Sequence, residues 1–161
     1  MNTVTVERVL QTAAGILRDA EYSFLITLGP TRDVHARLMQ HFKPEADLTL
    51  WFGVSRGSRK VREVQFAPRV VVACHDPRRP GYAALTGVAE VVEDAGLRRR
   101  YWRDDWAVFW PAGPLGDDYV LLKFTCERVE VMHLEEGVAP EPRGLRPAVA
   151  ARRGETWHLE G

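Results

Sequence analysis

A polar, basic segment in the first half of the chain has the residue types that bind phosphate. Residues 50–72 read LWFGVSRGSRKVREVQFAPRVVV, which predicts a strand, a turn and then a helix that begins after Gly57. Four side chains suited to an anion lie at the start of that helix: Ser55, Ser58, Arg59 and Lys60. Backbone N–H groups are free there and the helix dipole is positive, so the segment predicts an anion site.

The same pattern has a plainer interpretation. Ser58 would only cap the helix. The basic side chains would then form a solvated face, made of Arg56, Arg59, Lys60 and Arg62. The local pattern does not decide between the two interpretations.

The composition limits both the size of the protein and its partners. The 161 residues suffice for one domain with a hydrophobic core. Because 22 basic and 22 acidic side chains cancel, no overall field favours nucleic acid or an anionic membrane. The sequence has neither an apolar run of about eighteen residues nor a basic N-terminal segment followed by an apolar one. We therefore expect a cytoplasmic protein without membrane contact.

The cysteines and histidines are not spaced as disulfide or metal sites. Cys74 and Cys126 lie in separate strand-like segments, which predicts buried reduced thiols. The five histidines are scattered over different elements, so we predict no metal site. The motifs of hydrolases, P-loop NTPases and Rossmann dehydrogenases are absent, and we assign no catalytic side chain.

Hydrophobic periodicity predicts an α+β fold built on one curled antiparallel sheet. A short amphipathic helix follows Thr5. About six strands are expected, at residues 22–28, 34–40, 48–54, 70–75, 82–93 and 119–133. The basic helix covers about residues 58–66 and ends before Pro68, and an aromatic helix covers residues 94–109. Gly87 predicts a bulge or bend of the kind found in curled sheets, so we expect a small barrel with flanking helices.

The C-terminal segment differs in composition from the rest of the chain. Residues 135–161 contain three prolines, scattered charges and little periodicity. This predicts a tail beyond a domain that comprises residues 1–134. Such a tail is either flexible or becomes ordered by docking on a partner subunit.

Five segments together resemble one known family. They are HARLM at 35–39, LWFGVSRGSRKVREV at 50–64, APRVVV at 67–72, YAALTGVAEVVED at 82–94 and YWRDDWAVFWPAGPLGDDYVLLKF at 101–124. Over residues 22–133 the chain resembles the pyridoxamine 5′-phosphate oxidase-like flavoproteins, and most closely their general stress protein branch. The resemblance implies a split β-barrel that binds FMN between the two subunits of a homodimer.

The resemblance also implies roles for individual residues. The FMN phosphate would be held by four side chains: Arg37, Ser58, Arg59 and Lys60. The backbone of three residues would lie along the isoalloxazine edge: Phe52, Gly53 and Val54. Trp110 and Gly113 would close the site from the partner subunit, while ordinary packing is the alternative for Trp110 and the other tryptophans.

Several features depart from the family pattern. Val54 stands where a threonine is common, which implies one hydrogen bond fewer to the flavin. Met132 replaces a tryptophan at the end of the last strand, and PTRD replaces a DG turn. The C-terminal arginine motif of true pyridoxamine 5′-phosphate oxidases is not evident, because RGLRP at 143–147 is too loose a match. We therefore do not predict vitamin B6 synthesis.

Two functions of different class remain open. The first is an FMN-dependent oxidoreductase with a stress-related role, which takes electrons from a donor such as NAD(P)H and acts on a small molecule. The second is a non-catalytic flavin-binding or ligand-sequestering barrel, and a barrel with a decayed site is a third possibility. Another flavin or a deazaflavin in place of FMN also stays open, as does the substrate.

Overall fold

Eight strands form one antiparallel sheet in the computed structural model, which describes residues 3–138 and 146–161. The strands are β1 (Tyr22–Leu28), β2 (Val34–Gln40), β3 (Leu50–Ser55), β4 (Arg69–His75), β5 (Gly81–Val92), β6 (Tyr119–His133), β7 (Ala148–Arg153) and β8 (Thr156–Glu160). The helices are α1 (Val6–Ala20), α2 (Arg59–Phe66), α3 (Ala95–Arg100) and a 3₁₀-helix (Asp104–Val108). The predicted α+β class is confirmed, whereas the predicted number of six strands is too low.

The sheet curls because its longest strand pairs with three others. The strand order is β2-β1-β4-β5-β6-β7-β8, and β3 pairs with β6 outside this path. The first half of β6 pairs with β3 and the second half with β7, while β5 runs along most of its other side. The register of β5 against β6 shifts at Gly87, which confirms the predicted bulge. A Cβ there would overlap the backbone oxygen of Thr125, so only glycine fits.

Helix α1 packs its apolar face on the sheet. The backbone N–H of Arg8 donates to Oγ1 of Thr5 at 3.2 Å, so Thr5 is the predicted N-cap. Four buried side chains at helical spacing join the main core: Val9, Ala13, Ile16 and Leu17. In the part of the chain that the structure describes, no helix combines the length and the apolar character needed to cross a membrane.

The barrel core is apolar and encloses both thiols. Inward-facing side chains from six strands and two helices form one cluster that includes Leu25, Phe52 and Phe124, all fully buried. Cys74 and Cys126 are buried free thiols, as predicted. Burial raises the pKa of each thiol to about 12, so both are protonated and unreactive at neutral pH.

The predicted aromatic helix over residues 94–109 is wrong, because the structure divides it into α3 and the 3₁₀-helix. Tyr101 and Trp106 both pack in an aromatic cluster on the outer face of β3. In one continuous α-helix, side chains five residues apart would point about 140° away from each other. The break at residues 101–103 allows both rings to contact the same face, where Tyr101 stacks on Trp51 with centroids 4.6 Å apart.

The predicted C-terminal tail is wrong for residues 148–160, which form the hairpin of β7 and β8. β7 pairs with β6 of its own chain, and Ala148 and Ala150 are buried against the core. Gly154, with φ of +64°, makes the turn between the strands. Residues 139–145, with Pro140, Pro142 and most of the RGLRP segment, lie outside the described residues.

Candidate functional site

The barrel is open between β2 and β3. Among the strands of the described residues, β2 pairs only with β1, and β3 pairs only with β6. Within residues 3–138 and 146–161, one β-bridge connects the two edges, between His41 and Phe52. The turn after β3 leads directly into α2, so the start of that helix lies beside the opening.

The guanidinium group of Arg37 is only partly used by the protein. Nη1 donates to the backbone oxygen of Leu25 at 3.2 Å and to Oγ1 of Thr27 at 2.6 Å. Nη2 is buried and makes no hydrogen bond of ordinary length among the described residues, and Oε2 of Glu63 lies 3.6 Å from it as an ion-pair partner. Burial lowers the pKa of Arg37, although the carboxylate of Glu63 acts in the opposite direction. A buried N–H without a partner is unusual in folded proteins, and a ligand oxygen would satisfy it.

Ser58 stands at the N-cap position of α2, but its side chain makes no capping hydrogen bond. Its Oγ is buried and also lacks a partner in the described part of the chain. The alternative in which Ser58 only caps the helix is therefore wrong. The hydroxyl remains available to a ligand at the end of the helix where anions bind best.

Lys60 and Arg59 add positive charge next to these two groups. Lys60 is half-buried, and its pKa is lowered by burial and then by the charges of Arg37 and Arg59. A lowered pKa in a lysine means that its positive charge is destabilised where it lies. A bound anion would remove this cost, because it would neutralise part of the cluster.

Arg56 and Arg62, the other two arginines of the predicted solvated face, belong to the surface. Arg56 is exposed, donates to the backbone oxygen of Asp117 at 2.7 Å and pairs with Glu93. Arg62 is exposed and donates to the backbone oxygen of Gly57 at 2.6 Å. The solvated-face interpretation thus holds for these two side chains and for Arg59, which is also exposed, but not for Lys60.

Glu63, which the sequence analysis missed, lies beneath the cations. It is 3% exposed and accepts hydrogen bonds from Oγ1 of Thr27 and from Nδ1 of His35 at 2.8 Å. Its Oε1 is 3.3 Å from Nε of Arg59, and its Oε2 is 3.6 Å from Nη2 of Arg37. Its spacing from Arg59 is an ordinary i,i+4 pair, so the sequence signal alone suggested a surface contact.

The third strand offers its backbone, not its side chains, to the opening. The side chains of Phe52 and Val54 lie in the barrel core, so a threonine hydroxyl at position 54 would also point inward. The outer face of Gly53 is filled, because a Cβ would overlap the rings of Trp106 and Tyr119. A ring placed along this strand would therefore meet its free edge.

Trp110 and Gly113 lie in the loop that covers the end of β3. Nε1 of Trp110 donates to Oγ of Ser55 at 3.0 Å, and its ring packs against Tyr119 and Trp106. Gly113 has φ of +76° and donates its backbone N–H to the oxygen of Trp110 at 2.9 Å. Trp110 and Ser55 are thus brought together within one chain, and a contact across two subunits stays a prediction.

A buried histidine and aspartate at the far end of the barrel are structural. Nε2 of His133 is 2.9 Å from Oδ2 of Asp76, and its Nδ1 accepts the backbone N–H of Glu136 at 3.2 Å. Both ring nitrogens are occupied, so the pair has no free base to offer. Among residues 3–138 and 146–161, no three histidine, cysteine or carboxylate side chains are placed to hold a metal ion.

The fold and the cluster at α2 together define a class: a split antiparallel barrel with a cradle for an anionic ligand at its opening. Residues 9–138, most of the chain, match the family described as pyridoxamine 5′-phosphate oxidase like. The chain belongs to this family, as its motifs implied.

Solved structures share the fold at low sequence identity. General stress protein 26 from Bacillus anthracis has a TM-score of 0.67 and 22% identity, covering 77% of this chain and 93% of that one. A pyridoxamine 5′-phosphate oxidase-related, FMN binding protein from Nostoc punctiforme has a TM-score of 0.67 and 17% identity, covering 99% and 98%. A heme binding protein from Mycobacterium smegmatis has a TM-score of 0.60 and 20% identity, covering 81% and 55%. Among curated protein sequences, none matches significantly.

Proposed function

We propose that this protein binds FMN, with the phosphate held at the start of α2. The observation that carries the proposal is a pair of buried polar atoms that make no hydrogen bond to any described residue, Nη2 of Arg37 and Oγ of Ser58. Both belong to the residues expected to bind the phosphate. Lys60, whose pKa is lowered by burial and by neighbouring cations, is a third group that an anion would stabilise.

The charge of the cluster suits a phosphomonoester. The cluster contains three cations and one carboxylate: Arg37 and Arg59 pair with Glu63, and Lys60 lies near both arginines. The net charge of about two positive matches a phosphomonoester, which carries roughly 1.5 to 2 negative charges at pH 7. A fork-shaped guanidinium, a hydroxyl and an ammonium group also satisfy several phosphate oxygens at once.

The opening between β2 and β3 is the proposed place for the flavin ring. Beyond the bridge at Phe52, the edge of β3 that faces away from β6 carries the backbone groups of Gly53 and Ser55, and Trp110 covers the end of that strand. When bound, FMN would supply the hydride or electron transfer. The chain itself would bind the phosphate, orient the ring along β3 and exclude water through its aromatic loop. No acid or base from the chain is required for that role.

The comparisons support FMN over other cofactors. One structural neighbour is named as an FMN binding protein and another as a general stress protein. A third is named as a heme binding protein, so the fold does not by itself fix the cofactor. We favour a cytoplasmic oxidoreductase with a stress-related role, and a non-catalytic flavin-binding protein is the alternative.

A homodimer is part of the proposal, and one exposed face of β1 and β2 is its proposed interface. Five large apolar side chains are exposed on these two strands: Tyr22, Phe24, Leu28, Val34 and Leu38. Phe24 and Leu38 are direct cross-strand neighbours and are 47% and 58% exposed. They border a groove of about 250 Å³ that continues to Ala73 on β4. Such a continuous apolar surface, on the edge strand β2 and its neighbour β1, would be covered if a second copy of the chain bound there.

An absorbance spectrum followed by titration with FMN tests the proposal. Saturable binding of one FMN per chain, with much weaker binding of riboflavin, is the expected result because riboflavin lacks the phosphate. Equal affinity for the two ligands would overturn the phosphate assignment, and no binding of either would overturn the flavin proposal. Oxidation of NAD(P)H by the FMN-loaded protein would favour the oxidoreductase, and its absence would favour the non-catalytic alternative.

A further inference from the structure

His35 lies next to Arg37 on β2 but is not among the residues expected to bind the cofactor. Side chains two residues apart on a strand share a face, and both of these are partly buried between exposed neighbours. Both contact the same carboxylate. Nδ1 of His35 is 2.8 Å from Oε1 of Glu63, while Nη2 of Arg37 is 3.6 Å from Oε2. The imidazole is therefore part of the charged cluster at the barrel opening.

The contact with Glu63 determines which nitrogen of His35 carries a proton. Burial alone would raise the pKa of Glu63, but the hydrogen bonds from Thr27 and His35 and the charge of Arg37 outweigh burial and lower it. An ionised carboxylate only accepts hydrogen bonds, so Nδ1 of His35 is the donor. Nε2 makes no hydrogen bond within the described residues, and the side chain is 29% exposed. Nε2 is therefore accessible from solvent, on the side from which a ligand would approach.

We propose that His35, oriented by Glu63, is a further ligand of the bound phosphate and becomes protonated when a phosphomonoester binds. This inference rests on the proposed phosphate site and adds to it a residue and a pH dependence. A neutral ring would direct the lone pair of Nε2 at phosphate oxygens, which repel it. The protonated ring donates an N–H and adds a positive charge.

The charged groups around His35 make its protonation depend on a ligand. On α2, Glu63 favours the protonated ring, whereas Arg59, which contacts the same carboxylate oxygen, opposes it. On β2, Arg37 opposes it, and Lys60 contributes further positive charge to the cluster. Without a ligand, three cations disfavour protonation of His35 and only one carboxylate of the cluster favours it. A bound dianion reverses this balance, and by linkage protonation of His35 then strengthens binding of the dianion.

An NMR titration of the His35 ring tests the inference without any activity measurement. Ring-proton signals are followed from pH 5.5 to 8.5 in the free protein and with saturating FMN, riboflavin or inorganic phosphate. The signal that disappears in His35→Gln identifies the residue. We expect FMN to raise the midpoint of the His35 titration by about one pH unit, which corresponds to tenfold coupling, and riboflavin to leave it unchanged.

His158→Gln is the matched control, because His158 is exposed on β8. That variant should show the same FMN-induced shift of the His35 signal as the wild type. A control variant that loses the shift would mean that the signal reports a change in the whole protein, and the inference would be overturned.

The outcomes separate this inference from the proposed function. If FMN binds and the His35 titration does not move, the inference fails while the flavin proposal stands. If no flavin binds but inorganic phosphate moves the titration, the flavin proposal fails while His35 stands as a phosphate ligand. If neither ligand moves it and no flavin binds, both are overturned.

A binding measurement checks the reciprocal effect. The dissociation constant of FMN is measured for the wild type and His35→Gln at pH 6 and pH 8. The ratio of the two dissociation constants at each pH cancels the effect of the second ionisation of the phosphate itself, which occurs near pH 6. We expect His35→Gln to weaken binding more at pH 6 than at pH 8, by about tenfold. An equal ratio at both pH values for His35→Gln would overturn the inference.

Discussion

Replacement of Lys60 by alanine is the sharpest test of the phosphate site. The ammonium group is half-buried beside Arg37 and Arg59, and no carboxylate is among the groups that shift its pKa. Its proposed role is a charge-assisted hydrogen bond to a phosphate oxygen. Such bonds contribute about 1.5–3 kcal/mol, so Lys60→Ala should weaken FMN binding by roughly 10- to 150-fold.

The assay is titration of FMN fluorescence, with riboflavin as the ligand that lacks phosphate. Arg62→Ala is the matched control, because Arg62 lies on the same helix, is also replaced by alanine and points its guanidinium at the backbone of Gly57. We expect the control to bind FMN as the wild type does, and riboflavin affinity to be the same in all three proteins.

The folding stability of the variants provides an independent check. Lys60→Ala removes a cation from a cluster of cations, so its melting temperature should equal or exceed that of the wild type. Arg37→Ala should also weaken FMN binding by about 1.5–3 kcal/mol. Unlike Lys60→Ala, it should lower the melting temperature, because the side chain donates to Leu25 and Thr27. Unchanged FMN affinity in Lys60→Ala, or an equal loss for riboflavin, would refute the reasoning.

Three further predictions concern the fold and the assembly. The hydrogen bond from a buried histidine ring lowers the pKa of Asp76, so the ionised carboxylate stabilises the fold fully above about pH 5 and less as the pH falls below about 4. Asp76→Asn should lower the free energy of unfolding in urea by about 3–5 kcal/mol at pH 7, and a loss that is not smaller at pH 3 would contradict this. If the chain forms the proposed dimer, Leu38→Glu should sediment as a monomer at micromolar concentration, whereas Val108→Glu, at another exposed apolar site, should not. A wild type that sediments as a monomer would rule out the proposed interface. Gly53→Ala should lower the stability of the fold by about 1–3 kcal/mol, because its Cβ would overlap aromatic rings. Gly57→Ala is the control, since a Cβ there has no described atom within 4 Å, and equal thermal stability of the two variants would contradict the prediction.

Regular alternation made most of the fold predictable from the sequence. The bounds of β1, β2 and β6 agree with the predicted residues, because each strand has clear periodicity and turn residues at its ends. The hairpin of β7 and β8 was missed because its buried positions in β7 are alanines, which are weak strand formers. Gly154 is a turn signal, but the prolines and scattered charges of residues 135–161 favoured a tail.

The candidate site was predictable where it is local in sequence. Ser58 and Lys60 follow from the turn that opens α2, and Arg37 followed from the family resemblance. Glu63 and His35 were missed, since their contact joins residues 28 positions apart. The pairing of β2 with β1 and the packing of α2 bring them together, and no spacing rule expresses that geometry.

The pairing of β6 with β7 bears on what happens when the chain is incomplete. In a chain that stops after residue 134, the backbone of residues 128–131 would have no partner on the side that β7 now occupies. An uncovered strand edge is a template for association with other chains. Such a fragment would keep every residue of the phosphate cradle and still tend to aggregate. The C-terminal hairpin, whose Glu160 pairs with Arg128, therefore covers a strand edge that would otherwise be open to association with other chains.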